Sequence, residues 1–114
     1  PSLPRFLNQF SKTHRHLAAD NLDVMRTAGE TFVSSFTTKQ SRAFMTAGRF
    51  SPTLFEASFA AAYTDTSQGR KIDPAKVRAL ASNADYIKAT AESAGHTANV
   101  HARVSAGRQV FSQP

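Results

Sequence analysis

Between residues 18 and 50 mostly small or apolar side chains recur at steps of three and four. The positions are Ala18, Leu22, Met25, Gly29, Phe32, Phe36, Gln40, Ala43, Ala47 and Phe50, and eight of the ten are apolar. This is one stripe of an amphipathic helix, and it commits the first half of the chain to helical packing. Upstream, Leu3, Leu7, Phe10, His14 and Leu17 form a similar stripe displaced by one residue. One drifting helix explains the displacement. So does a break near Asp20-Asn21, because Asp and Asn favour caps over helix interiors. Thr37-Thr38 is a second weak point.

Proline supplies the punctuation. Pro52 disfavours helical geometry at Ser51, so the first helical region ends by about Phe50. Ser51 then serves as N-cap and Pro52 as the first residue of a new helix. That helix, residues 51–63, is short and aromatic, with Phe55, Phe59 and Tyr63 spaced by four. Residues 64–73 are polar, contain Gly69 and read as a loop. Asp73-Pro74 repeats the cap-then-proline pattern and opens a second long helix over residues 74–111. Val77, Leu80, Ala84, Ile87, Ala91, Ala94 and Ala98 lie along it as a narrow heptad-like seam. Gly95 and Gly107 weaken this helix locally, and Val100, Val104 and Phe111 fall on a different stripe.

The expected fold is therefore all-α. It is an elongated antiparallel helical hairpin or small bundle, in one domain over residues 1–114. Residues 1–50 form a long or broken helix. A helix of about 35 residues spans roughly 50 Å. Large apolar groups are few: 40% of the chain is hydrophobic, but nineteen of those residues are Ala. Ala contributes little at about 25 cal/mol per Å² buried, so assembly with copies of itself or a larger scaffold is the expected remedy. Val77, Leu80, Ala84, Ile87, Ala91, Ala94 and Ala98 are the expected helix–helix or oligomer contacts. Phe32, Phe36, Phe55, Phe59 and Tyr63 are the expected apolar anchors.

The charge is +6 and unevenly spread. Residues 1–19 carry Arg5, Lys12 and Arg15 with no acid, residues 31–55 carry Lys39, Arg42 and Arg49 with none, and residues 93–114 carry Arg103 and Arg108 with none. These eight cations are the expected contacts for an anionic partner: nucleic acid, a membrane surface or an acidic protein face. Residues 1–19 also have the composition of a mitochondrial transit peptide, although an ordinary basic amphipathic helix reads as well. No apolar run reaches the roughly 18–20 residues of a membrane span, and residues 1–20 lack the continuous apolar core of a signal peptide. The expected location is the cytoplasm or the interior of a virus particle.

Candidate chemistry is sparse. There is no Cys, hence no thiolate or disulfide chemistry. Ser and Thr number 23, but no G-x-S-x-G turn occurs to activate one. His14 and His16 are two apart, and His96 and His101 five apart; neither spacing matches the i, i+4 pairing of a helical metal site. Gly69-Arg70-Lys71 ahead of Pro74 has the ingredients of a phosphate cradle, but also those of a solvated basic loop. Asp20 and Asp23 read as helix-start acids. No catalytic residue, metal or cofactor is expected. The function expected is that of a non-enzymatic structural subunit, such as a virus or phage component lying near packaged nucleic acid. The alternatives are a non-specific nucleic-acid-binding helical protein and an amphipathic coat on a granule or membrane surface.

Overall fold

The computed structural model describes residues 22–46, 48–91 and 97–112. Helix α1 covers Leu22–Ser34 and buries Met25, Ala28 and Phe32 on one face, with Asp23 favourably placed in its first turn. It stops well short of Phe50, and local hydrogen bonds explain why. The Ser34 and Ser35 hydroxyls both donate back to the Thr31 carbonyl. Beyond them, the Thr37 N–H donates to Gln40 Oε1 (2.9 Å) and the Gln40 N–H donates to Thr37 Oγ1 (3.1 Å). This reciprocal capping box starts a new element rather than continuing the old one. A 3-10 helix follows at Gln40–Phe44, then a two-stranded hairpin of β1 (Met45–Thr46) and β2 (Arg49–Phe50). Met45 pairs with Phe50 and Thr46 with Arg49. Gly48 turns the corner at φ +78°, where a side chain would be strained.

Helix α2 (Pro52–Thr66) begins as its sequence indicates. Ser51 Oγ accepts from the Leu54 N–H, and Pro52 occupies the first turn. It runs one turn past Tyr63. Leu54, Ala57, Ser58, Phe59, Ala60, Ala62, Tyr63 and Thr66 are all buried, so α2 is enclosed on almost every side and forms the central rod. Helix α1 packs on one flank and the C-terminal helix on another. Phe32 of α1 is wholly buried and sits 5.2–5.9 Å from the ring centres of Phe36, Phe44, Phe55 and Phe59. Burial of one such ring stabilises by about 1.5–3 kcal/mol. The loop after α2 is held by Arg70 on Asp65, and the Ile72 N–H ties it to Ser35 Oγ at the end of α1.

The second half differs from a single long helix. Among its described residues are three helices: α3 (Ala75–Ala81), α4 (Ala84–Ala91) and α5 (Thr97–Phe111). Asp73 opens α3, its carboxylate accepting from the Ala75 N–H. Asn83 breaks the register, because its side chain accepts from the Tyr86 N–H and starts α4 anew. The expected heptad phase is lost there. The dimensions follow from these breaks: the extents are 34 × 31 × 30 Å and the radius of gyration 13.0 Å. The all-α expectation holds, and its compact bundle form replaces the elongated one, because no described helix exceeds 15 residues.

Helix α5 lies against α2 at Gly107. A Cβ built there would meet Ala61 Cβ at 2.8 Å and the Ala57 carbonyl oxygen at 3.2 Å. Gly107 therefore has a packing role in place of the local weakness read from its helix propensity. Gly107→Ala should destabilise the protein in urea unfolding. Overpacking costs about 1–3 kcal/mol, against about 1 kcal/mol gained in helix propensity.

Candidate docking groove

Four large hydrophobic residues among those described are substantially exposed: Val33 (47%), Met45 (44%), Phe50 (47%) and Ile87 (50%). The first three converge. Val33 at the end of α1 and Met45 and Phe50 on the hairpin line one groove of about 450 Å³. Phe36, Phe44 and Phe55 form its inner wall, while Thr38, Ser41 and Arg42 complete its edge. Hairpin register brings Met45 and Phe50 opposite one another. The groove's rings are held in tilted contacts: Phe44 lies 5.0 Å from Phe55 and from Phe36, and Phe50 lies 5.8 Å from Phe55. Preformed aromatic walls of this kind suit a concave recognition site.

The remaining expected contacts divide clearly. Arg42 is exposed and lines the groove, Lys39 and Arg49 are exposed and neighbour it in sequence, and Arg108 is exposed on α5. Arg103 is not on the surface. Its side chain is 3% exposed and lies 3.8 Å from the Glu56 carboxylate of α2. It faces inward because α5 packs its 100-103-104-107 face on the bundle. Of the seam residues, Val77 and Leu80 are wholly buried, whereas Ala84, Ile87 and Ala91 point to solvent. Tyr86 and Ala89 take the inner face of α4 instead, as the Asn83 cap dictates. Among the anchors, Phe32, Phe59 and Tyr63 are buried, and Phe36 and Phe55 are partly buried against them. Arg5, Lys12, Arg15 and Ala94 lie outside the described residues, as does the side chain of Ala98.

The possible phosphate cradle is otherwise engaged. Arg70 donates to Asp65 through Nε (3.1 Å) and Nη2 (2.9 Å) and to Gln68 through Nη1. Among the described residues no three His, Asp or Glu side chains converge as metal ligands, and no helix is long and apolar enough to cross a membrane. A second concavity between α4 and α5 is lined by Asp85, Lys88, Asn99, Ser105 and Gln109. Its walls mix these polar groups with the methyls of Ala89, Ala102 and Ala106 and carry no aromatic ring, so they offer less desolvation gain than the groove. Val33 and Met45 escaped the sequence reading because they lie off the main stripe; only the hairpin brings Met45 beside Phe50.

Burial raises the Tyr86 phenol above its ordinary pKa of 10.0, opposed by the Arg103 charge and a hydrogen bond with Ser51. No protein-family profile matches this chain, and neither the curated proteins nor the solved structures contain a match.

Two expectations follow from the buried polar cluster. Removing one partner of a buried ion pair costs about 3–5 kcal/mol, and Glu56 is 25% exposed, which places this pair at the lower end. Glu56→Gln leaves a buried guanidinium without its carboxylate, so it should destabilise more than Arg103→Met in urea titrations. Tyr86 is stabilising in its neutral form. That contribution is complete below pH 10 and is lost as pH rises through the folded-state value. Tyr86→Phe should therefore flatten part of the alkaline fall in thermal stability.

Proposed function

We propose that the protein is a non-enzymatic structural subunit of a larger assembly, held in place by its aromatic groove. The convergence of Val33, Met45 and Phe50 on one preformed concavity carries this reading. Clustered apolar side chains left in solvent mark interaction sites, whereas scattered ones do not. The partner surface is a protein face in this reading. The expected setting is a particle in which a small basic helical subunit lies near packaged nucleic acid. The net charge of +6 fits that neighbourhood.

The exposed cations Lys39, Arg42, Arg49 and Arg108 favour one second reading, direct non-specific nucleic-acid binding. The two readings separate by solution mass at 50 and 500 mM salt, with and without duplex DNA. A mass that is the same at both salts and indifferent to DNA supports the structural subunit. A complex that forms only with DNA and dissolves at 500 mM salt replaces it with the nucleic-acid reading.

A further inference from the structure

We infer that the groove receives the apolar face of an acidic amphipathic helix from a different protein. The inference rests on the groove being a protein-docking site, as proposed above, and it specifies the chemistry of the occupant.

The walls set the first requirement. Val33, Phe36, Phe44, Met45, Phe50 and Phe55 offer an apolar trough of about 450 Å³. That volume falls in the range of sites that enclose a few large side chains. A helix presents such side chains from one face at i, i+3 or i+4, and i+7. A strand is a poorer occupant. Each hairpin strand is only two residues long, so strand addition would find few backbone groups to pair with.

The rim sets the second requirement. Arg42 lines the groove, Lys39 and Arg49 are exposed beside it in sequence, and residues 31–55 contain no acid. The nearest acids in sequence are Glu30 on α1 and Glu56, the latter turned toward Arg103. Apolar walls with Arg42 at their edge, on a chain of net charge +6, complement a helix with apolar residues on one face and carboxylates flanking them. A second copy of this chain fits less well, since each copy carries +6. Single-stranded nucleic acid fits less well too. Val33 and Met45 present aliphatic rather than ring surfaces, and Phe50 is the one ring of the groove that is about half exposed, so a ladder of stacked bases lacks its platforms.

The test uses the full chain and a labelled synthetic helix carrying Leu at i, i+3 and i+7 and Glu at the flanking positions. Two comparison probes are the same peptide with Lys for every Glu, and oligothymidine. Binding is followed by fluorescence anisotropy, with amide chemical shifts to locate the site. The acidic peptide should bind at least about tenfold more tightly than its Lys counterpart, with shifts centred on Val33, Met45 and Phe50. Met45→Ser and Arg42→Glu should each weaken it by about tenfold, and both positions are exposed, so the fold is retained. Equal binding of the Lys peptide overturns the inference. So does acidic-peptide binding that neither substitution changes, or oligothymidine displacing the peptide from these residues. A DNA-indifferent mass together with no acidic-peptide binding would remove this occupant while leaving the structural-subunit reading intact. A salt-sensitive DNA complex would remove that reading itself.

Discussion

The fold depends on the burial of Phe32. Its ring touches Phe36 from its own chain neighbourhood, Phe44 from the 3-10 helix, and Phe55 and Phe59 from α2. Three separate pieces of backbone are thus fastened by one side chain. Each aromatic pair contributes about 0.5–1.5 kcal/mol beyond area burial. In a chain whose apolar content is dominated by Ala, this cluster provides much of the large apolar surface available. The 3-10 helix and hairpin make few long-range contacts of their own. They hold their places because Phe44 is anchored in the ring cluster and because the Ser51 N–H donates to the Phe44 carbonyl at 2.7 Å.

The opposite side of α2 is organised by smallness rather than bulk. Gly107 lets α5 approach until backbone and methyl groups touch. Close approach raises dispersion contact without demanding large side chains. It also encloses Arg103, which needs the carboxylate of Glu56 to offset its desolvation. The Ala-rich composition, which on its own argues against a stable core, is what makes this helix–helix contact possible.

Local grammar was legible in the sequence, and long-range phase was not. Ser51-Pro52 and Asp73-Pro74 were readable as helix starts because cap and proline act within one turn. Thr37-Thr38 was legible as a weak point though not as the start of a new element, and the cap at Asn83 sat inside an apolar pattern that ran across it. Gln40 was a polar exception in the first stripe, and the capping box is the reason it is polar. At Asn83 the seam of Ala84, Ile87 and Ala91 continued on paper while the backbone reset its phase. Arg103 shows a different limit. Charge counts identify cations but not the helix face each one takes, and an Arg on a packed face goes inside if a carboxylate is in reach. The groove itself was half legible: Lys39, Arg42 and Arg49 stood out as cations in an acid-free stretch and Phe36 and Phe50 as stripe positions, but Val33 and Met45 needed the hairpin geometry.

Phe44 and Phe55 belong at once to the ring cluster around Phe32 and to the inner wall of the groove. Interior and groove are therefore not separate compartments here. An occupant of the kind proposed would bind only the folded form, so occupancy and folding would be linked by mass action. The linkage runs in both directions. A substitution that loosens the rings from within reshapes the outer wall, and a change of partner selects on residues that also hold the core. With a partner in the groove as proposed, such a protein would have little freedom to drift in its interior while keeping that association, and core and partner would be constrained to change together.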